Sequence, residues 1–201
     1  MSSPEIAAPK AHLLLVDDDR LVLATLARGL QQVGYGITTA ESTEEVEALL
    51  ASGERPDLAI LDIRMPGADG LHLAQRLREL DHIPFMMLSA YSDPPMIDEA
   101  TRHGALGYLV KPLDIVQLVP SIEAALSRAN ELQSLRETRQ RLQAALDAER
   151  DISVAVGITM MQHRLQRRAA FELLRKTARS RRSKLADVAA EIIQAGETLK
   201  L

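Results

Sequence analysis

Four apolar segments in the first part of this chain, LLLVDDD, LAILDIRMPG, FMMLSA and GYLVKP, each run out into polar residues of one chemical set. If the four are parallel strands of one sheet, Asp17, Asp18, Asp62, Ser89 and Lys111 emerge together at its carboxyl edge. Open α/β sheets hold their ligands at that edge. A single Asp at a strand end is ordinary, since it caps a helix or opens a turn. Four strand ends carrying this set are much harder to obtain by chance. Clustered carboxylates repel, and at least one pKa rises, unless a cation lies among them. Oxygen-only donors with no His or Cys beside them select a hard ion. Mg2+ fits best, because it takes a few carboxylates and keeps its waters. Such an ion would hold an incoming phosphoryl oxygen, and Lys111 would offer the same group a second positive charge. An Asp carboxylate could then act as nucleophile and carry an acyl phosphate.

The elements that must position these residues follow from the pattern around them. Short apolar runs predict strands at 12–16, 36–40, 58–62, 85–89 and 107–110. Helical periodicity predicts helices at 20–33, 43–51, 69–80, 95–103 and from 114 onward. Ser42, with Glu45 three residues on, makes a capping box for the second of them. Five β–α units predict a doubly wound parallel sheet with helices on both faces. The strands are Leu, Ile and Val rich rather than alternating, as strands covered on both sides should be.

The 201 residues carry 46% apolar side chains, enough for a packed core. The absence of cysteine excludes disulfides and thiolate metal sites and fits a reducing compartment. No stretch reads as a secretory leader or a membrane span, so the expectation is a cytoplasmic protein with no membrane partner. The net charge of −4 hides an asymmetry. Residues 1–120 carry 9 basic against 18 acidic side chains, and residues 121–201 carry 15 against 10. Arg164, Arg167, Arg168, Arg175, Lys176, Arg179, Arg181, Arg182 and Lys184 accompany a single acid, Glu172, over 164–184. A stretch this basic suggests a polyanion, against the plainer reading of a solvated helix face, where signs usually mix.

Beyond Pro120 no glycine or strand signal appears until Gly157. Leu118, Ala125, Leu132 and Leu146 share one heptad position and Leu135 and Leu142 another, with Arg128, Arg139 and Glu149 interrupting the seam. A long helix forming a short, imperfect, dimerising coiled coil is predicted. Two further helices follow. Ala169, Ala170, Leu173, Leu174 and Ala178 would face a core from the first. Ser183 would cap the second, whose apolar face is Leu185, Val188, Ala189, Ile192 and Ile193. Met160, Met161 and Phe171 read as packing residues, and His72, His82 and His103, lacking ligand spacing, as surface.

The strand-end motifs together resemble the response-regulator receiver domain, of flavodoxin-like fold, over about residues 11–130. The resemblance implies Asp62 as phosphoacceptor, Asp17 and Asp18 as metal-binding acids, and the Arg64 backbone carbonyl as a further ligand. It also implies that Ser89 bonds the phosphoryl group, Lys111 pairs with it, Tyr108 is the switch aromatic, and the Lys111–Pro112 bond is cis. Asp19 reads as a helix N-cap rather than a ligand. The C-terminal segment, through Ala155, Gly157, Ile158, Met160, Ala170, Phe171, Leu174, Arg175, Ala178, Leu185, Val188 and Ala189, resembles the ANTAR domain of AmiR- and NasR-type antiterminators. Val156 stands where that family usually has Lys, and Thr159 where it has a large apolar residue. Gln166, Arg167 and Arg168 replace its usual acids.

The expected organisation is a flexible tail at 1–10, a receiver at 11–128, a coiled-coil linker at 129–151 and a three-helix RNA-binding unit at 152–201. The resemblances imply a regulatory protein rather than an enzyme. A sensor histidine kinase would phosphorylate Asp62, and the resulting homodimer would bind hairpins in nascent RNA and control transcription antitermination. Two other readings stay open. One is a DNA-binding regulator; the other is a receiver whose helical tail docks a protein.

Overall fold

The computed structural model describes residues 8–65, 70–90 and 94–198. The chain divides into two units, residues 1–132 and 133–201. In the first, β1 (His12–Val16), β2 (Gly36–Ala40), β3 (Leu58–Asp62), β4 (Phe85–Ser89) and β5 (Tyr108–Val110) form one parallel sheet in the order β2-β1-β3-β4-β5. The helices that alternate with them are α1 (Arg20–Gln32), α2 (Thr43–Ala51), α3 (Gly70–Arg76), α4 (Pro94–Arg102) and α5, which starts at Ile115. One core cluster is centred on Leu14, Leu61 and Phe85, and the other on Leu13, Ile60 and Leu88. Successive strand residues thus feed opposite faces of the sheet. The expected doubly wound fold is what the chain forms, and the two-sided burial explains why its strands lack alternation.

Local chemistry fixes the ends of these elements. Asp19 Oδ1 accepts the backbone N–H groups of Leu21 (2.8 Å) and Val22 (3.3 Å), so it is the N-cap of α1. Ser42 Oγ accepts from Glu45 N (3.3 Å) while Glu45 Oε2 accepts from Glu41 N (2.7 Å), one residue short of the reciprocal capping box. The helix expected at 69–80 departs from the reading. Asp69 lies outside the described residues, and after Arg76 the coil widens into a π-helical segment, Leu77–Asp81, closed by a left-handed His82. The wider turn lets Leu77 and Ile83 both be buried, and it brings Asp81 back to 3.7 Å from Arg76. Leu80 is left facing outward. The expected tail reaches the described residues only at 8–10. There Lys10 N donates to the Gly34 carbonyl (2.9 Å), and the Lys10 ammonium lies 5.7 Å from the centroid of the Tyr35 ring.

Helix α5 runs without a break from Ile115 to His163. Asp114 starts it, through its carboxylate on Val116 N (3.2 Å). Pro120 falls early in the helix, where a missing donor costs one intrahelical bond. The heptad reading needs one correction. Leu118 and Ala125 are buried in the core of the first unit, so the open seam consists of Leu132, Leu135, Leu142 and Leu146, each 43–62% exposed.

The second unit contains the rest of α5, α6 (Arg167–Arg181) and α7 (Leu185–Thr198). Its core is Ala155, Val156, Ala170, Leu174, Ala178, Val188 and Ala189, with Met160, Phe171, Leu185, Ile192 and Ile193 packed against it. Ala169 and Leu173, expected inside, are exposed, and the buried stripe of α6 narrows to Ala170, Leu174 and Ala178. Met161 is 84% exposed and is not a core residue. Ser183 is not the cap of α7. Its hydroxyl is buried without a hydrogen-bond partner, and the turn is closed by Lys184 N donating to Asp187 Oδ2 (3.0 Å).

Candidate functional site

Parallel pairing carries the polar strand ends to one place. Val16 is opposite Leu61, Asp62 opposite Leu88, and Ser89 opposite Val110, so Asp17, Asp62, Ser89 and Lys111 end up in adjacent rows at the carboxyl edge. Backbone bonds continue past the strands to hold them. Asp17 N donates to Ala40 O (3.2 Å), Ile63 N to Leu88 O (3.0 Å), and Lys111 N to Ser89 O (2.7 Å). Asp17, Asp62 and Ser89 are almost wholly buried, whereas Asp18 is exposed.

One carboxylate oxygen from each of Asp17, Asp18 and Asp62 lies within 4.8 Å of the others. Lys111 Nζ reaches into the group, 2.6 Å from Asp17 Oδ2 and 2.8 Å from Asp62 Oδ2. Asp17 Oδ1 accepts from Asp19 N (3.0 Å), which bends the loop, and Asp62 Oδ1 accepts from Arg64 N (3.3 Å). Burial pushes the Asp17 carboxyl above its ordinary pKa, more than the Lys111 and Asp19 hydrogen bonds and the Lys111 charge pull it down. Burial also disfavours the Lys111 charge, but hydrogen bonds and attraction from Asp17 and Asp62 outweigh it, so its pKa is raised. A buried carboxyl held above its usual range, beside two others and a single ammonium, is a site short of positive charge. Oxygen-only donors at this spacing fit Mg2+, which Asp17, Asp18 and Asp62 would hold.

Tyr108 opens β5 and packs, half-buried, against the Leu14–Phe85 core. The Lys111–Pro112 bond is cis. Pro66 and Gly67, in the segment that follows Asp62, lie outside the described residues. One residue of the site escaped the sequence reading. A side chain at Gly70 would overlap the Asp62 carbonyl oxygen and come within 3.1 Å of the Asp62 carbonyl carbon and Ile63 Cα. The start of α3 therefore sits directly on the backbone of the central aspartate. The only sequence signal was a glycine opening a predicted helix.

The nine basic residues of 164–184 all fall in the second unit. Arg164 and Arg182 occupy left-handed turns after α5 and α6. Arg175 pairs with Glu172 (3.3 Å) and Arg181 with Glu191 of α7 (2.7 Å). Arg167, Arg168, Lys176, Arg179 and Lys184 are exposed and form no ion pair among the described residues. Val156 and Thr159, the two departures in α5, are each 4% exposed and face the three-helix core. His72 and His82 are exposed and His103 is half-buried.

Comparison with known proteins matches both halves. Residues 13–123 match the response regulator receiver domain and residues 140–193 the ANTAR domain. The transcriptional regulatory protein PdtaR of Mycobacterium tuberculosis is 30% identical over 188 residues, covering 94% of this chain and 92% of PdtaR. The DNA-binding transcriptional regulator NtrC of Salmonella typhimurium is 40% identical over 123 residues, 61% of this chain but 26% of NtrC. Among solved structures, the chemotaxis response regulator CheY4 of Vibrio cholerae superposes with a TM-score of 0.53 at 30% identity, covering 57% of this chain and 98% of CheY4. No helix among the described residues is long and apolar enough to cross a membrane.

Proposed function

The chain belongs to the response regulators that join a receiver domain to an ANTAR domain, and from that membership we propose that phosphorylation of Asp62 controls its binding to RNA. The observation that carries the proposal is Lys111 Nζ lying between Asp17 and Asp62 at 2.6 and 2.8 Å in a pocket of three carboxylates. A sensor histidine kinase supplies the phosphoryl group. An Asp62 carboxylate oxygen attacks phosphorus, the P–N bond of the phosphohistidine breaks, and the electron pair leaves with the imidazole. Mg2+, when bound by Asp17, Asp18, Asp62 and the Arg64 carbonyl, supplies charge neutralisation for the transferring group. Lys111 follows the phosphoryl oxygens, and burial of Asp17 and Asp62 keeps competing water away. The Ser89 hydroxyl bonds the new group and Tyr108 changes rotamer, which alters the α4–β5 surface and favours a dimer.

The dimer offers two basic three-helix units to paired hairpins in a nascent transcript, and so prevents terminator formation. Arg164, Arg167, Arg168, Arg175, Lys176, Arg179, Arg181, Arg182 and Lys184 make up the basic set from which the RNA contacts come. The exposed seam of Leu132, Leu135, Leu142 and Leu146 is the dimer contact. The test has two arms. Asp62→Asn should abolish phosphoryl uptake from acetyl phosphate with Mg2+ while the fold persists, and normal labelling would overturn the assignment. Phosphorylated protein should bind hairpin RNA more tightly than duplex DNA at matched salt; the reverse order would favour a DNA-binding regulator.

A further inference from the structure

We propose that RNA lies along one flank of α6, on Arg168, Arg175 and Arg179, and that Glu172 within that flank competes with it for Arg175. The inference rests on the RNA-binding reading above and says which surface carries it. The basic side chains between 164 and 184 are not equivalent. Arg181 is committed to Glu191, a bond between α6 and α7 that belongs to the fold of the unit. At about 100° per residue, Arg168, Glu172, Arg175 and Arg179 fall within a sector about 60° wide. That sector is centred about 130° from the buried stripe of Ala170, Leu174 and Ala178. All four side chains are exposed, and Lys176 falls outside the sector. The three arginines run about 16 Å along the helix.

A row of guanidinium groups with no apolar residue among them is not a packing surface. Its shape, charge repeated along a line, matches a phosphate backbone, and the planar guanidinium donates two parallel hydrogen bonds to such a group. Among the described residues Arg168 and Arg179 form no ion pair, so both are available to phosphate. Arg175 is held by Glu172 at 3.3 Å. A backbone laid along the flank must take Arg175 from that carboxylate and also lie beside its charge. Glu172 therefore lowers affinity for every sequence alike, and what remains of the binding depends more on the shape of the RNA.

The experiment uses the full chain, phosphorylated with acetyl phosphate and Mg2+, and a labelled synthetic RNA of two adjacent hairpins. Anisotropy is followed across a salt series. Arg168→Gln with Arg179→Gln should lower the logarithmic salt slope by about one and a half units, at roughly 0.7–0.9 per lost phosphate contact. Glu172→Gln should tighten binding about two- to five-fold, the range of a surface ion pair, and in an Arg175→Gln background that gain should shrink to the part that comes from relieving the repulsion between Glu172 and phosphate. Arg28→Gln with Arg141→Gln, on exposed positions of α1 and α5 away from the leucine seam, serves as the charge control and should leave the slope unchanged. Melting curves and phosphoryl labelling check that each variant folds. If the wild type binds the hairpins while the Arg168 and Arg179 double variant keeps the full slope, the flank is wrong and the RNA reading survives. If the wild type binds neither the hairpins nor duplex DNA, the RNA reading itself fails. If polyglutamate displaces the RNA from the flank at equal charge concentration, the surface is a dock for acidic protein and the proposal is overturned.

Discussion

Gly70→Ala tests the claim that the candidate site is set by backbone packing as much as by its acids. The added methyl would overlap the Asp62 carbonyl oxygen and crowd the Asp62 carbonyl carbon and Ile63 Cα. All three are backbone atoms, so no rotamer change can make room, and either α3 or the end of β3 must shift. Overpacking of this kind costs about 1–3 kcal/mol, and a wholly backbone contact belongs at the upper end. For a unit of this size that is a fall in Tm of roughly 6–12 °C. A displacement on the order of 1 Å at a reacting group costs about 10²-fold in rate, so labelling of Asp62 by acetyl phosphate should slow by about that factor. Gly157→Ala is the matched control. A side chain there would meet nothing within 4 Å on the exposed surface of α5, so the helix should gain up to about 1 kcal/mol. Differential scanning calorimetry and a labelling time course give both numbers. A Gly70→Ala protein with unchanged Tm and unchanged rate would refute the reasoning, because it would mean that the contact is not made in solution.

Other outcomes follow from the same geometry. The Asp17 pKa is raised in the folded chain, so its contribution to stability is complete below the unfolded value and declines as pH rises through the folded one. Without metal, Asp17→Asn should therefore gain on the wild type as pH rises from acid toward neutral, as urea titrations at several pH values would show. Mg2+ at a hundred times its dissociation constant should stabilise the wild type by about 2.7 kcal/mol and the Asp17→Asn variant far less; equal stabilisation of both would place the ion elsewhere. Leu135→Glu with Leu142→Glu changes two side chains that are 60% and 62% exposed in the single chain. Monomer stability should barely move, while a dimer buried on that seam should lose about 4–8 kcal/mol, which sedimentation equilibrium reads directly.

What could be read from the sequence was whatever repeats with a fixed period or recurs at an element end. The strands were legible because five apolar runs of similar length stand between helical patterns. Parallel pairing then leaves no freedom about where Asp17, Asp62, Ser89 and Lys111 end up. Asp19 as N-cap was legible for the same reason, since a short acid before a helical pattern has one common use. The departures arise where tertiary packing chooses among locally equal options. Leu118 and Ala125 fit a heptad as well as Leu132 does, but the receiver core lies within reach of the first two and not of the third. Met160 and Met161 are chemically identical, and only the position of the neighbouring helices decides that one packs and the other faces solvent. Ser183 has every property of a cap except the position, because the turn closes one residue later, where Lys184 N donates to Asp187 Oδ2.

Gly70 and Glu172 mark a different kind of omission, and it concerns function more than fold. Sequence reading searches for groups that act, and at these two places what matters is a group withheld or opposed. Gly70 matters because it has no side chain, which lets α3 rest on the carbonyl of Asp62. Glu172 reads as a lone acid diluting a basic run, yet its position three residues before Arg175 lets it occupy one guanidinium of the flank. Both follow from one physical rule, that a polar site is tuned by its close neighbours as much as by its ligands. In the receiver, contact with backbone fixes where Asp62 stands. On α6, an internal carboxylate sets how much free positive charge a polyanion finds. The same rule gives opposite signs on substitution: adding a methyl at Gly70 should cost activity, and removing a charge at Glu172 should increase binding.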